Sequence, residues 1–140
     1  MKKQFVTQEI ALKLKELGFD EGCLAIYDSP EFKLIHELLG YGWNSLELTN
    51  GEVKNSIYSE GNFVTAPLWQ QVIDWLRDTY NLHINFQVNQ FGYGFMYAII
   101  DLVQSKCVVN LKGGVNEKYT YPEAKEQAIL EGIKIIKNRV

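Results

Sequence analysis

The chain has 140 residues, a formal charge of −3 and 46% hydrophobic residues, which suits one domain with a single core and no disulfide staples. The acidic balance excludes a general attraction to polyanions, and the longest apolar run, Phe95 to Ile100, falls far short of the ~20 residues that span a bilayer. Lys2 and Lys3 are followed by Gln4, Thr7, Gln8 and Glu9 where a secretory leader needs an apolar centre, so a cytoplasmic protein without membrane contact is expected.

Thr7 opens a first helix with Ile10, Leu14 and Leu17 on one face and a Glu9 to Lys13 pair one turn apart. Gly18 stops it, with Phe19 placed to fold back over the last turn and Leu12 left off the buried face. Cys23 to Tyr27 is a short apolar run closed by Asp28, Ser29 and Pro30, the pattern of a strand. Glu31 to Leu39 carries Phe32, Ile35, Leu38 and Leu39 at helical spacing; Phe32, Leu34 and His36 would also serve a strand, and the helix is the reading taken here. Asn50-Gly51 marks a type I′ hairpin, with Leu48 facing Val53 and Glu47 facing Lys54, and 55–62 reads as polar loop.

The stretch TAPLWQQVIDWLRDTYNLHINFQV, residues 65–88, organises the rest. Thr65 is the expected cap and Pro67 the first-turn residue of a helix over Ala66 to Thr79. At about 100° per residue, Leu68, Trp69, Val72, Ile73, Trp75, Leu76 and Tyr80 fill an arc of roughly 160°. That arc is wide enough to need two covering neighbours. Leu82, Ile84, Phe86 and Val88 then alternate with His83, Asn85 and Gln87, a strand with one face on a core and the three polar side chains on the other.

Gly92-x-Gly94 turns the chain into a returning strand, Phe95 to Val103, covered on both faces at Ala98, Ile99 and Ile100. Cys107 to Leu111 adds another strand, closed by Gly113-Gly114. Thr120 and Glu123 form a capping box for a final helix to about Asn138, whose Ala124, Ala128 and Gly132 leave room for a close approach while Leu130 points away. The expected fold is therefore a single α+β domain over residues 1–140, an antiparallel sheet of four or five strands packed by two or three helices.

Chemistry-bearing patterns are sparse. Gly92-Tyr93-Gly94-Phe95-Met96-Tyr97 resembles the aromatic strand motif of RNA-recognition domains, but Phe91 stands where a basic residue is expected and Ala98 replaces the closing aromatic. Asp74 and Asp78 lie one turn apart with Arg77 between them, which a salt-bridged wet face explains. Neither His83 nor His36 has a visible nucleophile partner or metal-ligand spacing, so no catalytic residue, metal or cofactor is assigned. Cys23 and Cys107 belong to no CxxC pattern and are expected as buried free thiols.

Three segments, VTQEIALKLKELGFDEGC, TAPLWQQVIDWLRDTYNLHI and YPEAKEQAILEGI, together resemble a family of small uncharacterised proteins encoded by Bacteroidetes and their phages or other mobile elements. The resemblance covers a little over a third of the chain. It implies a phage or mobile-element setting and no activity. The expected role is a non-enzymatic interaction or regulatory module acting on a protein partner, with His83, Asn85, Gln87, Tyr93, Tyr97, Trp75 and Leu130 as the candidate interaction face. Trp75 and Leu130 would serve a homodimer. The alternative is a nucleic-acid-binding regulator that uses the Tyr93 to Tyr97 hairpin.

Overall fold

A computed structural model of the chain describes residues 2–28, 31–34, 52–57, 63–88, 94–112 and 119–139. The backbone gathers into two compact units, Met1–Trp69 and Gln70–Val140. The class is α+β as expected, but in place of one sheet of four or five strands the described residues form two three-stranded antiparallel sheets and three α-helices.

In the first unit, helix α1 (Gln8–Glu16) is capped by Thr7, whose hydroxyl accepts from the Ile10 amide. The helix ends as the sequence requires. Gly18 takes φ +89°, the Gly18 and Phe19 amides donate back to the Lys15 and Leu14 carbonyls, and the Phe19 ring is buried. Strand β1 (Ala25–Asp28) is central between β2 (Glu31–Leu34) and β3 (Phe63–Thr65), and α1 packs on β3.

Glu31 to Leu34 is therefore strand and not the expected helix. The Tyr27 and Phe32 positions are register partners with rings 5.5 Å apart, and Phe32 also meets Phe5 at 5.2 Å, so cross-strand aromatic packing overrides the helical spacing. Residues 35–39 of that expectation and the Asn50-Gly51 hairpin lie outside the described residues. Val53 exchanges two backbone hydrogen bonds with Cys23, and Asn55–Ile57 forms a 3-10 turn.

Strand β3 has only three residues, all buried, too short for a period to show in the sequence. It also takes Thr65 away from the capping role expected of it. The Ala66 amide donates to the Ala25 carbonyl, Pro67 accepts from the Val6 amide, and Leu68 bridges to Phe5, so the chain stays extended until Trp69. Asn55 makes this possible. Its buried side chain donates to the Phe19 carbonyl at 2.9 Å and accepts from the Thr65 amide at 2.9 Å, joining the α1 exit to the end of the sheet.

The second unit contains nearly all of helix α2 (Trp69–Tyr80), then β4 (Leu82–Val88), β5 (Phe95–Asp101), β6 (Lys106–Lys112) and α3 (Tyr121–Asn138). Trp69, Val72, Ile73, Trp75 and Leu76 of α2 are all buried, as the wide apolar arc demands. Asn81 at φ +58° ends the helix, a left-handed turn that Asn tolerates better than most side chains, and β4 starts one residue later. Strand order is β4-β5-β6, and α3 lies on β5 and β4.

The capping box at Thr120 and Glu123 is complete, and Ala124, Ala128 and Gly132 form a buried edge on α3. The close backbone approach expected there is not required at Gly132, where a Cβ would meet the Leu76 side chain at 3.6 Å, an ordinary contact. Gly94 has a stricter role. It takes φ +104°, and a Cβ would stand 2.5 Å from the Tyr119 carbonyl oxygen, which accepts from the Phe95 amide.

Strand β5 stops at Asp101, two residues before the expected end at Val103. The Asp101 carboxylate accepts from the Val103 and Gln104 amides at 2.9 and 3.0 Å, which turns the chain and leaves Leu102 and Val103 exposed. Its other oxygen meets Arg139 Nη2 at 2.8 Å, and Arg139 Nη1 donates to the Tyr80 carbonyl. One guanidinium thus ties the end of α3 to the end of α2 and to the β5–β6 turn.

Two expected outcomes test these anchors. Asn55→Ala strands the Thr65 amide and removes a bond to the Phe19 carbonyl, and at about 1–3 kcal/mol for a buried unsatisfied group it should lower the urea midpoint markedly. Asn55→Asp should be at least as damaging, because a carboxylate cannot donate to Phe19. Asp101 is held below its ordinary value of 3.8 by the Gln104 amide first, then the Val103 amide, Arg139 and Lys106, against the opposing effect of burial. A depressed carboxylate stabilises above the unfolded value and loses that contribution as pH falls through the folded one. The stability gap between the native chain and Asp101→Asn should accordingly shrink between pH 5 and pH 3; a constant gap would show the charge to be idle.

Candidate interaction face

Strand pairing decides which side chains share a face. Leu82, Ile84 and Phe86 pair with Asp101, Ile99 and Tyr97, and this is the side that α3 covers: Phe86 and Phe95 both pack on Tyr121 in the first turn of α3. The remaining positions, His83, Asn85 and Gln87, pair with Ile100, Ala98 and Met96 on the other side. The three polar residues singled out from the sequence therefore do lie together, and a row of apolar side chains lies beside them. Gln87 is exposed, Ala98 is buried, and His83, Asn85, Met96 and Ile100 are half-buried. None of these six side chains is a carboxylate, ammonium or guanidinium.

Trp75 and Tyr97 need correction as members of an exposed interaction face. Trp75 is only 7% exposed and packs edge-on against Tyr80 at 5.2 Å, since it lies inside the apolar arc of α2. Tyr97 is 2% exposed, and its hydroxyl donates to Glu131 Oε2 at 2.6 Å because its alternating position turns it toward α3. It has no open ring face for a base to stack on. Tyr93 lies outside the described residues.

Leu130 is half-buried and borders an open groove of about 290 Å³ with Tyr97, Tyr119, Lys112, Glu131 and Lys134. Glu131 accepts from Tyr97 on one oxygen and meets Lys112 Nζ at 3.1 Å on the other. Both oxygens of the carboxylate are thus engaged. No local pattern could have revealed this cluster, because its partners come from β5, β6 and α3. Asp74, Asp78 and Arg77 form the exposed ion pairs the sequence suggested, at 3.3 and 3.0 Å. Pairs of this kind contribute little.

The two thiols part company. Cys23 is buried, and burial is the main cause that pushes its pKa from 9.0 to about 12; Glu21, Glu52 and Asp20 add to the rise, while the Thr65 hydroxyl opposes it. Cys107, expected to be buried, is exposed near the start of β6 and directs its thiol to the Val109 carbonyl at 3.0 Å. The cause is position: Cys107 pairs with Ile100 on the side of the sheet away from α3, and among the described residues β6 pairs only with β5.

Among the described residues no group of three or more His, Cys, Asp or Glu is placed to hold a metal ion, and no helix is long and apolar enough to cross a membrane. Compared with known proteins, the chain matches no family model, no curated protein and no solved structure.

The thiols make a direct test. At pH 8 a thiol reagent should titrate one cysteine quickly in the folded chain and the second only after denaturation, and Cys107→Ser should abolish the fast reaction; two fast thiols would contradict the burial of Cys23. A raised thiol pKa stabilises below the unfolded value and loses that contribution as pH climbs toward the folded one. Stability should therefore decline between pH 9.0 and about 12, with a shallower slope in Cys23→Ala.

Proposed function

We propose that this chain is a non-enzymatic interaction module of phage or mobile-element origin that binds a protein partner through the β4–β5 face. The mobile-element setting rests on the resemblance carried by the three segments from Val6, Thr65 and Tyr121. The face is supported by one observation above the others: six neighbouring side chains, His83, Asn85, Gln87, Met96, Ala98 and Ile100, carry no carboxylate, ammonium or guanidinium in a chain where 22% of residues are Asp, Glu, Lys or Arg. Depletion of charge around a mixed amide and apolar patch is the compositional mark of the centre of a protein–protein contact. The nucleic-acid reading has no comparable support, since the Tyr97 ring it needs is enclosed.

The test uses the full chain immobilised as bait in a host extract, with Asn85→Arg placing a charge in the middle of the face and Lys134→Glu as a control on α3. A protein retained by the native chain and by Lys134→Glu but lost with Asn85→Arg, at unchanged thermal stability, is the expected outcome. Identical retention by all three baits would overturn the assignment of this face.

A further inference from the structure

We draw no further inference here: the strongest candidate, the open groove beside Leu130 between α3 and strands β5 and β6, has its one carboxylate already engaged by Tyr97 and Lys112, and no unpartnered buried polar group among the described residues points into it to say what it would hold.

Discussion

Short elements leave backbone groups that no ladder or helix can satisfy, and the Asp101 carboxylate deals with several of them at once. It takes the two amides of the turn after β5 and holds Arg139, which in turn reaches the last carbonyl of α2. Three elements of the second unit thereby end at one ionic centre. Arginine suits the position because its planar fork can serve a carboxylate and a carbonyl together, which an ammonium on a flexible stem does less well. In the first unit the amide of Asn55 does the corresponding work with no net charge, donating on one side and accepting on the other. Both residues are buried polar groups that are tolerable only because their hydrogen bonds are made.

With these ends tied, packing in the second unit follows from residue size. Ala124, Ala128 and Gly132 make one buried edge of α3, with the Leu76 side chain beside Gly132, while Ile129, Ile133 and Ile136 supply the apolar bulk. The same helix draws Tyr97 and Ile99 inward. Strand alternation then leaves Met96, Ala98 and Ile100 no choice but to face the other way, in register with Gln87, Asn85 and His83. The proposed contact face is thus a by-product of which side α3 occupies.

Much of the architecture was legible where local chemistry decides it. The Thr7 and Thr120 caps, the Gly18 stop, the buried set of α2 and the alternation of β4 each depend on residues within a turn or two of one another. The errors fall where distant partners decide. Phe32 has helical spacing but is captured by Tyr27 and Phe5, Thr65 could cap a helix but belongs to a strand beside Ala25, and Val103 has strand chemistry but is turned outward by Asp101. Division into two sheets belongs to the same class, because strand count can be read locally and strand partnership cannot. Of the candidate face, the polar half was visible as a period of two. Its apolar half, and the withdrawal of Tyr97 and Trp75 into the interior, required knowing where the covering helix lies.

Strand β6 carries a lysine at each end, Lys106 and Lys112, and among the described residues it pairs only with β5. If two copies met along this edge in antiparallel fashion about Val109, the first lysine of one would stand beside the last lysine of the other at both extremities. Like charges directly opposed across a strand pair repel, and natural sheets use edge lysines for this purpose. In that register, ribbon growth from molecule to molecule would have to set ammonium beside ammonium, and Lys112 would have to keep its hold on Glu131 as well.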